Sequence, residues 1–282
     1  MKKILLYTFF IILILVLSSC LPHSNNNEVL TGDVLFDNAH SQTAGNADWT
    51  ITGGFSDFAN DIKKIGLNVQ QWGNDETGSS QRDDDAPITY DTLKNFKVYI
   101  IPEPNKPFTS QEQADIIKYI NDGGSVFFIS DHIRADRNNN GWDAVQIFNG
   151  FKRGTHTIEN KNNYTDDFVG KLGFRFREVQ YSQDPITNMK THEITNGVTQ
   201  VGMWAGSTLY IKDSNINGLV YLTNENSGPY VIAGTYGKGK FVAIGDSSPI
   251  DDGSGADSKL YDGYNDLDDA KLCMNIIKWL NK

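Results

Sequence analysis

Val126-Phe127-Phe128-Ile129-Ser130-Asp131-His132 is a short apolar run that stops at a hydroxyl, a carboxylate and an imidazole. Three other runs have the same form. Val34-Leu35-Phe36 leads into Asp37-Asn38-Ala39-His40, and Val98-Tyr99-Ile100-Ile101 into Pro102-Glu103-Pro104-Asn105. Phe241-Val242-Ala243-Ile244 leads into Gly245-Asp246-Ser247-Ser248. Apolar runs of this length without polar alternation read as strands buried on both faces, as in a parallel sheet covered by helices. In such sheets ligands sit outside the carboxyl ends of the strands. Four polar tips are therefore expected on one rim.

The intervening segments read as helices. Phe55, Phe58, Ile62 and Ile65 recur at helical spacing, Gly66 stops that helix, and Leu67 to Trp72 makes a strand. Gly73 to Pro87, with Arg82-Asp83-Asp84-Asp85, reads as a solvated loop. Thr109-Ser110-Gln111-Glu112 is a capping box opening a helix through Ile116, Ile117 and Ile120, closed by Asn121-Asp122-Gly123-Gly124. This strand–helix alternation implies right-handed crossovers and a parallel sheet. Further on, Trp142 to Phe148 makes an amphipathic turn, and Asp166 to Gly173 a short helix. Phe174 to Thr235 is strand- and turn-rich, Gly237-Lys238-Gly239-Lys240 is a hairpin-like turn, and a helix runs from about Leu267 to Leu280. The expected class is α/β, with a mainly parallel central sheet and a β-rich insertion.

The chain opens with a basic Met1-Lys2-Lys3 and an apolar run from Ile4 to Leu17. That run is short for a spanning helix, which needs about 20 residues, and has the proportions of a signal peptide. Leu17-Ser18-Ser19-Cys20 matches a lipobox, in which the cysteine is diacylated and becomes the new N-terminus. Residues 1–20 are therefore read as a lipoprotein signal, 21–30 as a flexible tether and 31–282 as the α/β domain. Two acyl chains give stable anchoring, so the expected location is extracytoplasmic, on the cell membrane or outer membrane. Loss of Lys2 and Lys3 takes the formal net charge from −10 to about −12, which disfavours nucleic acid as a partner. The second of the 2 cysteines, Cys273, falls among Leu272, Ile276, Ile277 and Leu280 on one helical face and reads as core.

Several segments resemble the class I glutamine amidotransferase-like superfamily. They are Ile100 to Asn105, Asp122 to Val126, Thr191-His192-Glu193-Ile194-Thr195-Asn196-Gly197-Val198, and Gly237 through Ser247. The likeness is to its uncharacterised and trehalose-utilisation-like branches, with Glu193 standing where they carry proline. It implies a flavodoxin-like three-layer sandwich. True amidotransferases place a nucleophilic cysteine on a strand-to-helix elbow. Here Asp131 stands near that place, and a carboxylate cannot do thiolate chemistry, so glutaminase activity is not expected.

The rim residues Asp37, His40, Glu103, Asp131, His132 and Asp246 are of types that share protons or bind a divalent cation, and they are the catalytic candidates. Asp37, His40 and Asp131 are the candidate metal ligands. Three of the six have a named alternative: Asp37 and Asp246 as caps of the following turns, His132 as a hydrogen-bond donor to a loop carbonyl. Gln42, Asn105, Trp204, Ser207 and Ser247 are candidate ligand-binding residues, with Gly206 letting a ligand approach the backbone. Trp49, Trp72, Trp142, Trp204 and Tyr261 suggest a sugar surface, or core. Asp136-Arg137-Asn138-Asn139-Asn140-Gly141 matches the first half of a calcium loop, but Ile147 stands where the closing glutamate belongs. Asp251 to Asp257 reads as a mobile wall of the same crevice. Two functions follow as expectations. One is an anchored, metal-assisted hydrolase acting on a glycan or other extracellular small molecule. The other is a non-catalytic envelope lipoprotein binding a ligand or partner.

Anchoring is testable alone. Cys20→Ala is expected to leave an unprocessed precursor that takes up no labelled fatty acid; processing and labelling like the parent would refute the lipobox reading.

Overall fold

In the computed structural model the described residues are 30–73, 87–152, 168–255 and 262–282. The expected leader with Cys20, the expected tether up to residue 29, residues 74–86 of the expected loop, Asp166-Asp167, Asp257 and Tyr261 lie outside them.

The elements follow in the order β1 (Val34–Asp37), α1 (Ser56–Lys64), β2 (Val69–Trp72), α2 (Tyr90–Leu93), β3 (Val98–Ile101), α3 (Ser110–Asp122), β4 (Ser125–Ile129) and α4 (Ala144–Asn149). A β-rich stretch comes next: β5 (Phe174–Phe176), β6 (Tyr181–Ile186), β7 (Asn188–Met189), β8 (Val201–Gly206), β9 (Leu209–Ile211) and β10 (Ile216–Tyr221). β11 (Pro229–Tyr236), β12 (Gly239–Ile244) and α5 (Asp269–Leu280) complete the order. The short helix expected up to Gly173 is a single 3₁₀ turn, Val169–Leu172, capped by Gly173 in the left-handed region. One turn leaves too few internal hydrogen bonds to hold an α-helix.

The central sheet has 8 strands in the order β2-β1-β3-β4-β12-β11-β10-β7. β2, β1, β3, β4 and β12 are mutually parallel, whereas β11, β10 and β7 continue the sheet antiparallel. The fold is thus a flavodoxin-like α/β sandwich. Along each central strand, alternate residues enter opposite cores. Phe36, Ile100, Phe127 and Ile244 pack with Phe58 and Ile62 of α1 and Leu272, Ile276 and Ile277 of α5. Leu35, Tyr99, Phe128 and Ala243 pack with Ile116 and Ile120 of α3 and Val145 and Phe148 of α4. Helices on both faces explain why these strands carry no polar alternation. Cys273 is fully buried in the first core.

Two capping devices hold the helices that border the rim. Thr109 Oγ1 accepts from the Glu112 amide at 3.2 Å, while Glu112 Oε2 accepts from the Thr109 amide at 2.8 Å. α1 lacks a cap of its own, and Asp252 supplies one from across the chain. Its Oδ2 accepts from the Asp57 amide at 2.8 Å and from Ser56 Oγ at 2.7 Å. The described part of the Asp251–Asp257 segment therefore closes a helix end; it is not a loose wall.

Outside the main sheet, the antiparallel β6–β8 ribbon lies against the carboxyl end of β12. The Ser207 amide donates to the Gly245 carbonyl at 2.6 Å. A Cβ at Gly245 would lie 1.8 Å from Ser207 O, and one at Gly206 would lie 2.7 Å from Asp246 Cβ. Gly206 therefore admits the neighbouring strand end, where a ligand was expected. Gly245→Ala should cost about 3 kcal/mol or more by overpacking against backbone. Gly66→Ala, with φ +88 but nothing within 4 Å, should cost about 1–2 kcal/mol through backbone strain. Denaturant unfolding checks both, and equal costs would contradict the close-packing account.

Candidate functional site at the carboxyl edge of the sheet

Because β1, β3, β4 and β12 are adjacent and parallel, Asp37, Glu103, Asp131 and Asp246 reach the same edge. The expected convergence is present, but the residues are sealed in. Asp37, Glu103 and Asp246 are fully buried, and Asp131 is 3% exposed. They divide into two clusters.

The first is a caged histidine. His40 Nδ1 lies 2.8 Å from Asp37 Oδ2, and its Nε2 lies 3.3 Å from Glu112 Oε1. Its ring stacks on Phe108 with centroids 3.7 Å apart. Gln42 Nε2 donates to Asp37 Oδ2 at 2.8 Å and to the Pro102 carbonyl at 3.2 Å. Burial alone would lower the His40 pKa, but Asp37 and then Glu112 outweigh it and bring it up to about 9. Burial would likewise raise the Glu112 carboxyl, yet its bonds with His40 and Thr109 take it down to about 2. His40 is thus a buried imidazolium between two carboxylates, with neither ring nitrogen free for a metal.

The second cluster is organised by Arg137, from the segment between β4 and α4. Its Nε donates to Glu103 Oε1, one Nη to Asp131 Oδ2 at 2.9 Å and the other to Asn46 Oδ1 at 2.9 Å. The guanidinium also lies over Trp49, 5.5 Å from the ring centroid. Glu103 Oε2 further accepts from Trp49 Nε1 at 2.9 Å and Ser247 Oγ at 2.7 Å. Asp246 accepts from the Trp204 amide at 2.6 Å and the Ser248 amide at 2.9 Å, which is the turn-capping role. Burial, opposed by those amides and reinforced by the Glu103 charge, raises Asp246 to about 7. Burial, then Glu103 and Asp246, push Asp131 well above the carboxylate range against the pull of Arg137. Asp269, at the start of α5, is raised to about 8, first by burial and then by Asp246.

The metal triad Asp37, His40 and Asp131 is therefore not assembled. Two of its members belong to the histidine cage and the third is bound to Arg137. Among the described residues no three His, Cys, Asp or Glu side chains are grouped to hold a metal ion. Gln42, Asn105, Ser207 and Ser247 are almost entirely buried and spent on internal bonds. Their apparent availability came from their place after the strands, and the chain folds back over them. Trp204 stays half-buried, its Nε1 3.2 Å from Asp184 Oδ2. His132 Nδ1 sits 2.5 Å from the Ile133 carbonyl, the alternative foreseen, while Nε2 is 3.9 Å from Asp131 Oδ1 at the lip of the cluster.

The calcium-like loop also spends its oxygens on itself. Asp136 accepts from the Asn140 and Gly141 amides at 3.0 and 2.7 Å, and Asn140 Oδ1 from the Trp142 amide at 2.8 Å. Its contribution to the site is Arg137, which the calcium reading passed over. Four buried carboxylates demanded a cation, and a lone arginine in an acidic, Asn-rich loop was the available signal. Glu112 was read only as a cap. Asn38 had no signal beyond its position: it is 4% exposed, and neither its Oδ1 nor its Nδ2 has a hydrogen-bond partner among the described residues.

The sequence matches no known family profile and no curated protein. Solved structures do resemble it. The mmIFT52 N-terminal domain superposes with TM-score 0.57 at 14% identity, over 88% of this chain and 97% of that one. Cytoplasmic protein STM3548 from Salmonella typhimurium gives 0.54 at 12% identity, over 88% and 98%. A ThuA-like protein from Bacteroides uniformis gives 0.48 at 14%, over 88% and 90%. The first two likenesses show the fold and nothing further.

The cage predicts a pH dependence. Because His40 is raised from 6.5 to about 9, its contribution is full below pH 6.5 and is lost as pH rises through 9. Asp246 and Asp269, raised from 3.8, contribute fully below pH 3.8, and that contribution is lost as pH rises through 7 and 8. Glu112, lowered to about 2, contributes above 4.5 and loses that contribution as pH falls through 2. Stability should therefore peak near pH 4 and fall toward pH 9. His40→Gln should be less stable at pH 5 and flatten the fall between 6.5 and 9, by on the order of 3 kcal/mol. An unchanged slope in urea titrations across that range would refute the cage.

Proposed function

We propose that the chain is a lipid-anchored envelope protein whose α/β domain binds a ligand or a partner and does not catalyse. One observation carries this reading: the strand-tip carboxylates are buried and already answered within the fold. His40 answers Asp37, Arg137 answers Glu103 and Asp131, and backbone amides answer Asp246. A catalytic metal needs ligands free to coordinate it and a position left open for water or substrate. Here a guanidinium takes up the charge such a metal would neutralise. Glutaminase chemistry would need a reactive thiolate, and burial followed by the Asp269 charge raises the Cys273 thiol well above its ordinary value.

The anchor is supported by the basic start, the apolar run and Leu17-Ser18-Ser19-Cys20. A neutral, hydroxyl-rich ligand such as a glycan suits the lip. Trp204 offers a partly exposed ring oriented by Asp184, and Asn38 has buried polar atoms that no described residue satisfies.

One observation favours a second reading, a metal-free acid–base hydrolase. Asp246 titrates near 7 and Asp131 is raised beside the partly exposed His132, so a proton could be held or released at neutral pH. A glycan-hydrolysis rate profile abolished in Asp246→Asn would establish it. For the binding reading, thermal unfolding of the full chain in neutral detergent should give one midpoint with manganese, zinc, calcium or chelator. Stoichiometric metal in the purified protein, or a metal-dependent rise of several degrees, would overturn it.

A further inference from the structure

The opposite edge of the sheet, where β3, β4 and β12 begin and α3 and α5 end, opens into a cleft of about 570 Å³. Five lysines line it, Lys94, Lys97, Lys238, Lys240 and Lys282, against a single acid, Asp122. That balance is the reverse of the whole chain, which carries 25 basic and 35 acidic residues. Three of the lysines have acidic partners at the margin: Lys94 with Asp91, Lys97 with Asp33 and Lys282 with Glu193. These lysine side chains are 51%, 61% and 57% exposed, so such pairs hold them weakly and leave them able to reach another anion. Lys238 is exposed and, among the described residues, is paired with no acid, and Lys240 donates to the Trp279 carbonyl at 3.0 Å. Burial, then the neighbouring Lys282 charge, lowers the Lys240 ammonium below its ordinary value. An arriving anion would relieve that crowding.

The entry of the chain places this edge nearest the anchor. Leu30 packs on the core cluster that contains Phe96, and a Cβ at Gly32 would lie 3.2 Å from the Phe96 ring. Phe96 itself lines the cleft. Ten residues separate Cys20 from Leu30 and span at most about 35 Å when fully extended. A chain held at Cys20 therefore enters the fold beside the lysines, at the edge opposite the acidic clusters.

We propose that this lysine-lined cleft is a docking face for the phosphates of anionic lipid headgroups, turned toward the bilayer by the point at which the anchored segment enters the fold. The inference rests on the lipid-anchored reading. Each lysine near an anionic surface strengthens docking by about fivefold, so several would keep the domain seated where an anchor alone would let it swing. Salt should weaken the docking.

The test is lysine acetylation read by mass spectrometry on the full chain, reconstituted in vesicles of phosphatidylcholine or of phosphatidylcholine with phosphatidylglycerol in equal parts. Lys97, Lys238, Lys240 and Lys282 should react at least about threefold more slowly on the anionic vesicles and recover at high salt. Lys106, beyond the carboxyl end of β3, should be unchanged. Lys238→Glu with Lys97→Glu should abolish the protection of Lys240 and Lys282. Equal reactivity on both vesicles, or protection of Lys106 to the same degree, would overturn the proposal. So would equal protection by inorganic phosphate on neutral vesicles, which would make the cleft a site for a soluble anion. Flotation with neutral vesicles reads the anchor separately: a chain that fails to float refutes the anchored reading, whatever the lysines do.

Discussion

The guanidinium of Arg137 between Glu103 and Asp131 is the interaction on which the carboxyl edge depends. The parallel strands deliver four carboxylates to one place, and removal of both sheet faces from water leaves them little solvent. An unpaired buried charge of this kind costs several kcal/mol, and removing one partner of such a pair typically costs about 3–5 kcal/mol. Arg137 meets two of the acids at once, and its stack on Trp49 fixes where the returning loop must lie. Asp37 is met separately by His40, whose charge is retained because Glu112 stands on its other side. Asp246 is paired with no cation among the described residues, and it accommodates by holding its proton to about pH 7.

These electrostatic demands tie distant parts of the chain together. Glu112 caps α3, receives the Ile88 amide at 3.2 Å and faces His40, so the helix start, the chain before α2 and the tip of β1 share one carboxylate. Asp246 holds the Trp204 amide, and Gly245 meets Ser207, which fastens the β6–β8 ribbon to the end of β12. Asp252 caps α1 from the segment after that same strand. The polar layer thus works as a clasp over the sheet edge.

Much of this could be read from sequence, and the boundary has a physical cause. The strands were legible because burial on both faces removes polar alternation, so β3 falls on Val98–Ile101 as expected. The helix at Thr109 was legible because a capping box is a local signal. Which residue answers which charge is a matter of contacts far apart in sequence. Arg137 meets Glu103 across 34 positions, and Ser247 meets it across 144. Local pattern carries no such pairing. His40 and Asp131 therefore looked like two ligands of one metal when they belong to separate networks. Gly206 looked like room for a ligand because its neighbour, Asp246, comes from another strand.

The separation of charge between the two edges follows from the same architecture. In a parallel α/β sheet the helices run against the strands, so their amino ends gather at the carboxyl edge and their carboxyl ends at the other. Helix dipoles favour acids at the first and cations at the second, by about 0.3–1 kcal/mol for each exposed charge. Glu112 and Asp269 stand in the first turns of α3 and α5, and Asp252 closes the start of α1. Lys63 and Lys64 close the end of α1, and Lys278 the end of α5. An acidic chain can thus carry a basic edge with little conflict, because the helix-end charges of α1 and α5 lie where the backbone itself stabilises them; Asp122, at the end of α3, is the exception. The carboxyl edge turns its acids inward and seals them, while the amino edge leaves its lysines in solvent beside the residue where the chain enters the fold.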